Sequence, residues 1–172
     1  MLDVVCPPVE TVFSTAAHSR SLVTVAVTLF NYADTVPGAL ESVRGQHLAD
    51  VDLIVVDDGS TDGGDRVARQ WMQRHADRFG RCLFARHPVN QGLSATRNQA
   101  FHLAATPYVF VLDADNELYP RCLHRCLDLA ERSNADAVYT LIEVFGDERG
   151  VMGTDLWNPE SLARQNYIDA MA

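Results

Sequence analysis

A chain of 172 residues, 47% hydrophobic and 22% charged, has the size and composition of one soluble domain with a substantial core. Its formal net charge of -9 excludes a general nucleic-acid binder, because phosphate backbones are held by basic surface. All 14 basic residues are arginine, which excludes a P-loop and lysine Schiff-base chemistry.

No run approaches the roughly 20 apolar residues of a membrane span, so a cytoplasmic location is expected, with Cys6, Cys82, Cys122 and Cys126 as reduced thiols. Residues 1–20 are weakly patterned, contain Pro7-Pro8 and read as a leader that can pack on the domain without belonging to its core. Residues 23–29, VTVAVTL, predict a strand that runs into the polar and aromatic turn Phe30-Asn31-Tyr32-Ala33-Asp34. A helix follows, with Asp34 or Thr35 as N-cap, Pro37 in the first turn, and Val36, Leu40 and Val43 at helical spacing before Gly45. Residues 51–56, VDLIVV, predict a second strand ending in Asp57-Asp58-Gly59-Ser60-Thr61-Asp62. The helix after Gly63-Gly64 carries Val67, Trp71 and His75 on one stripe extended by Phe79, with His75 read as a partly buried packing residue.

Residues 82–86 predict a third strand, residues 87–92 a loop, and residues 93–104 a helix whose Leu93, Ala100, Leu103 and Ala104 face the sheet. Residues 108–112, YVFVL, predict a strand buried on both faces that ends in Asp113-Ala114-Asp115-Asn116-Glu117. A helix over residues 120–132 places Cys122 and Cys126 on one face with Leu129 and Ala130, as buried thiols rather than a metal motif, with His124 turned away. A strand over residues 135–144, a loop with an edge strand over residues 146–157 and a helix over residues 160–172 complete the expectation. Alternating strands and helices imply an α/β fold with a doubly wound, mostly parallel sheet.

Three strands thus deliver polar residues at their C-terminal ends, where open α/β sheets bind ligands. Asp113 and Asp115, one residue apart, can share a hard divalent ion, Mn2+ or Mg2+. The competing reading is an acidic turn that caps the following helix. Phe30 offers a flat face to a nucleobase, and Asp58 an acceptor for a base N–H or a ribose hydroxyl. Arg97 can pair with phosphate or contact the base. Ser60 to Asp62 read as turn and helix cap, and Asn90 and Asn98 fit loop and helix-surface roles equally well.

The series VTVAVTLFNYAD, LIVVDDGSTDGG, NQGLSATRNQAF and YVFVLDADNELYP, in that order, resembles the nucleotide-sugar half of a family 2 glycosyltransferase with the Rossmann-like GT-A fold, over about residues 21–132. The resemblance implies Thr28, Phe30 and Asn31 around the base, and Asp58 with its neighbour Asp57 on uracil or ribose. Asn90, Gly92 and Arg97 would complete the nucleotide pocket, Asp113 would lie near the ribose and diphosphate, and Asp115 would ligate the metal. It further implies inverting transfer of a hexosyl-type sugar, with a UDP-sugar favoured as donor, to the hydroxyl of a saccharide or glycoconjugate, commonly in polysaccharide biosynthesis. In such enzymes the general base belongs to the acceptor-side half, so residues 133–172 are expected to be the incomplete beginning of that half and the base to lie beyond Ala172. Asp147, Glu148 and Asp155 are candidate acids by position only. The alternative is a nucleotide- and metal-binding fragment without turnover. A phosphoryl-transfer protein built on Asp57-Asp58 would need a lysine that this chain lacks.

Overall fold

The computed structural model describes residues 6–17, 20–146 and 149–152. The chain divides into two units, Met1–Arg125 and Cys126–Ala172. In the first, strands β1 (Glu10–Ser14), β2 (Val23–Leu29), β3 (Val51–Asp57), β4 (Cys82–Arg86) and β5 (Tyr108–Asp113) form one sheet in the order β1-β4-β3-β2-β5. Strands β2 to β5 are mutually parallel, and β1 runs antiparallel to β4. Every residue of β2 and β3 is buried, as their unbroken aliphatic runs require of strands covered on both faces. Ala26, Ile54, Val56, Leu83 and Ala85 pack together with Ala100.

The connections are helices α1 (Val36–Arg44), α2 (Gly64–His75) and α3 (Leu93–Leu103), with a 3₁₀ turn at Ala76–Arg78 after α2. From β2 through β3 to β4 the chain steps in one direction. It then crosses back through α3 to lay β5 on the other side of β2, so the order reverses between β2 and β5. A ligand crevice is expected outside the carboxyl ends at such a reversal. The segment after β5 is fastened beside it: Gln46 Nε2 donates to Tyr119 O at 2.8 Å, Leu123 N donates to Gln46 Oε1 at 3.1 Å, and Leu118 N donates to Ser42 Oγ at 3.0 Å.

Several expectations are corrected. The stretch read as a leader supplies β1, an edge strand with half-buried Val12 and Phe13 and a register shift between Thr11 and Phe13. Thr35 is the N-cap of α1 but makes no side-chain cap bond; the N–H groups of Thr35 and Val36 donate to Tyr32 O. The buried stripe of α2 is Gly64, Ala68, Trp71 and Met72, with Val67 at its margin. His75, by contrast, is the partly buried packing residue expected, its ring 4.6 Å from that of Trp71. In α3 the buried positions are Thr96, Gln99 and Ala100, while Leu93 is exposed. Strand β5 buries Phe110 and Leu112 but leaves Tyr108, Val109 and Val111 half-buried, because among the described residues it pairs only with β2.

Helix α4 (Cys122–Ser133) begins in the first unit and continues into the second. Leu123 and Ala130 are buried, Cys122 and Cys126 are half-buried, and Leu129 is exposed. All four cysteines are thiols, and burial pushes that of Cys82 up to about 12. Of the strand expected over residues 135–144, only β6 (Ile142–Val144) forms, as a hairpin with β7 (Gly150–Met152). Local β propensity makes no ladder without a partner in register. The helix expected over residues 160–172 lies outside the described residues. No described helix is long and apolar enough to cross a membrane.

Candidate functional site

Parallel pairing places Thr28 opposite Asp113 at the ends of β2 and β5. Thr28 Oγ1 donates to Asp113 Oδ1 at 2.7 Å, and Arg97 Nη2 reaches both carboxylate oxygens at 3.1 and 2.9 Å. Helix α3 therefore presents a cation to the end of the neighbouring strand, and Asp113 is held in one orientation with its charge balanced. Thr28, expected beside a base, is committed to Asp113.

Asp115 is exposed and accepts from Asn116 Nδ2 at 2.9 Å. Its charge is the chief reason the Tyr32 hydroxyl titrates above its usual range, followed by partial burial and a hydrogen bond to the same carboxylate. The two carboxylates of Asp113-Ala114-Asp115 thus differ: one is locked by the fold, the other faces solvent. Among the described residues no cluster of three or more His, Cys, Asp or Glu side chains is arranged to hold a metal.

At the end of β3 the two aspartates take different partners. Asp57 is wholly buried. It accepts from Ser60 N at 3.3 and 3.2 Å, and Arg86 Nε lies 3.1 Å away without the alignment of a hydrogen bond. Burial raises its carboxyl above the usual range, against the lowering effects of Ser60 and Arg86. The expected contact of Asp57 with uracil or ribose is therefore corrected: its side chain closes a turn inside the protein.

Asp58, 3% exposed, grips the next loop. Its Oδ1 lies 2.7 Å from His87 Nδ1 and accepts from Gln91 N at 2.9 Å, while Oδ2 accepts from Gly92 N at 2.8 Å. Gly92 has φ +88° and ψ 157°, a region essentially reserved for glycine, and its N–H also reaches Asn90 Oδ1 at 3.1 Å. Gly59, at φ +77°, allows this approach: a Cβ there would stand 3.0 Å from Asn90 N and 3.1 Å from the Val89 carbonyl carbon.

Asn31, at φ +59°, ties the β2 loop to the β3 loop. Its N–H donates to Ser60 Oγ at 3.0 Å, and its Oδ1 accepts from Thr61 N at 2.8 Å. Asp62 accepts from Ala33 N and Gly64 N, both at 2.8 Å, and so closes the turn before α2; the N-cap itself is Gly63 with no side-chain cap bond, which corrects the expected cap from Ser60, Thr61 or Asp62. Phe30 and Tyr32 leave 41% of their surface exposed at the mouth of these loops.

The structure thus links Thr28, Arg97 and Asp113 in one contact group, Asp58, Asn90 and Gly92 in a second, and Asn31 with Ser60 and Thr61 in a third. Sequence reading missed His87, a loop histidine preceding a proline with no periodicity to mark it. Asp147, Glu148 and Asp155 lie outside the described residues.

The family model "Glycosyl transferase family 2" matches residues 24–169. The teichoic acid poly(glycerol phosphate) polymerase of Staphylococcus epidermidis (strain ATCC 35984) is 32% identical over 73% of this chain and 17% of its own length. The succinoglycan biosynthesis protein ExoU of Rhizobium meliloti (strain 1021) is 35% identical over 61% of this chain and 29% of its own. Among solved structures, the mannosyltransferase PcManGT from Pyrobaculum calidifontis, in complex with GDP-Man and Mn2+, superposes with a TM-score of 0.58 and 26% identity over 74% of this chain and 36% of that one. The chain spans less than half the length of each of these relatives. The mixed α/β fold with its mostly parallel five-stranded sheet is the one expected from the sequence and is shared with such GT-A transferases. By the family match across most of its length, the chain belongs to glycosyl transferase family 2.

Proposed function

We propose that this chain is the donor-binding part of an inverting glycosyltransferase that takes a sugar from a nucleoside-diphosphate donor, with UDP the favoured nucleotide, and delivers it to a saccharide or glycoconjugate hydroxyl. The observation that carries this reading is the asymmetry of Asp113 and Asp115 at the reversal of strand order, one carboxylate fixed by Thr28 and Arg97 and the next open to solvent. An all-oxygen site with one exposed carboxylate fits a hard ion that completes its shell with water and phosphate oxygens. Asp115 would hold Mn2+ or Mg2+, with Asp113 behind it near the ribose and diphosphate. When bound, such an ion neutralises charge on a leaving diphosphate. Mn2+ in PcManGT supports the metal, and its GDP-Man makes GDP the first alternative nucleotide. Relatives named for teichoic acid and succinoglycan support a glycopolymer acceptor.

Phe30 offers its exposed ring to the base, and Asn31, Asn90 and Gly92 shape the loops around it. Arg97 engages Asp113 through Nη2, which leaves Nη1 for a phosphate oxygen. In the transfer, the acceptor oxygen bonds to the anomeric carbon from the face opposite the diphosphate. The carbon–oxygen bond to diphosphate breaks with its electron pair leaving on the phosphate, and the acceptor proton passes to a base assigned to none of the described residues.

Calorimetric titration of UDP and GDP into the chain, with and without Mn2+, tests the reading. Metal-dependent binding that Asp115→Asn weakens about tenfold or more is expected, since a removed ligand leaves the cation without its protein anchor. A folded chain that binds neither nucleotide would sink it.

A further inference from the structure

His87 is wholly buried, yet its imidazole is only half satisfied. Nδ1 lies 2.7 Å from Asp58 Oδ1, and Nε2 is buried with no hydrogen-bond partner. Leaving a buried polar atom unpaired is unfavourable, so packing alone would favour an apolar side chain here. The compensating interaction is with Asp58. A carboxylate can only accept, so Nδ1 is the donor in this contact. His87 N also donates to Asp57 O at 2.8 Å, which fixes the ring's own backbone to the end of β3.

The acceptor inventory of Asp58 follows. Two oxygens offer about four lone-pair positions. His87 and Gln91 N occupy both positions on Oδ1, and Gly92 N occupies one on Oδ2. One acceptor position on Oδ2 is uncommitted. We propose that His87 is the positioning residue of nucleotide recognition: it holds Asp58 as an oriented anion whose remaining Oδ2 lone pair selects a base edge presenting a ring N–H. Uracil N3–H and guanine N1–H satisfy that requirement; cytosine N3 is an acceptor and meets the carboxylate lone pair to lone pair. The inference rests on the donor-site reading above and adds to it the residue that sets the polarity of the base contact.

The test compares calorimetric affinities for UDP, GDP and CDP, in the presence of Mn2+, across the wild-type chain, His87→Leu and His87→Asn. Leucine fills the space without a donor, whereas the asparagine amide can reach the position of Nδ1. Wild type is expected to prefer UDP or GDP over CDP by about tenfold or more, the scale on which a polar site rejects a mismatched partner. His87→Leu should lose most of that preference while retaining Mn2+-dependent affinity for inorganic pyrophosphate, and His87→Asn should restore the preference. Equal loss of all ligands with no rescue by asparagine would mark a merely structural histidine and overturn the proposal, as would unchanged base preference in His87→Leu. Independently of any variant, long-range nitrogen–proton NMR of the wild-type chain should show His87 protonated at Nδ1 and bare at Nε2; the opposite tautomer overturns it. If wild type binds pyrophosphate with Mn2+ but no nucleotide, the donor-site reading fails and this proposal with it; if UDP binds and only the His87 predictions fail, the donor-site reading stands.

Discussion

Asp58 and Asp115 are both acidic residues at strand ends, and their substitution should separate stability from binding. Asp58→Ala leaves the amides of Gln91 and Gly92 and the His87 imidazole without their acceptor inside the protein, and a loss of about 3 kcal/mol in urea unfolding is expected from breaking such a buried charged network. Asp115→Asn, at an exposed position, should move unfolding by no more than about 0.5 kcal/mol. Asp57 carries a pH signature. Because burial raises its folded-state pKa, its contribution to stability is full below the unfolded carboxylate value and is lost as pH rises through the raised folded value. Asp57→Asn should therefore flatten the decline measured by urea unfolding in steps from about pH 4 to pH 7; an unaltered slope would remove Asp57 as its source. The sequence marked this neighbourhood because acidic residues follow aliphatic runs, but Asp57 and Asp58 look alike on paper. Both are buried, and which turn or loop each one holds depends on its partners, among them a histidine 29 residues from Asp58.

The elements most legible from sequence were those with one dominant local cause. Unbroken aliphatic runs gave β2 and β3, and Pro37 with Val36, Leu40 and Val43 gave α1. What stayed hidden depended on partners. Strand β1 has three β-favouring residues and exists by pairing with β4, and residues 135–141 have the propensity but form no strand. The connection between α1 and β3 is held in the same non-local way. Arg78 donates Nε to Arg44 O at 3.1 Å, Nη1 to Ala49 O at 2.6 Å, and Nη2 to Gln46 O and Leu48 O at 3.0 and 2.8 Å. Arg78→Ala should cost about 2 kcal/mol in chemical unfolding, less than the sum of four charged bonds because such terms overlap. Arg78→Lys should recover little of it, since an ammonium cannot span four carbonyls as a planar fork does.

For the molecule as a whole, the net charge of -9 sets a field that repels nucleotide phosphates and attracts divalent cations. Salt screens both effects over about 10 Å at 0.1 M. Raising NaCl from about 20 to about 300 mM should therefore strengthen metal-free UDP binding and weaken Mn2+ binding in calorimetry; a metal-free affinity that falls with salt would show Arg97 outweighing the global charge. The order β1-β4-β3-β2-β5 has a further consequence, in the time domain. During synthesis β1 to β4 emerge before β5 and can pair with one another, while Asp113 and Asp115 arrive with β5 and must return to a strand some 85 positions earlier in the chain. Closing so long a loop is a slow and late event. On the donor-site reading proposed above, the place where the ion would sit is completed only when β5 docks against β2, so a chain without β5 in place would lack it.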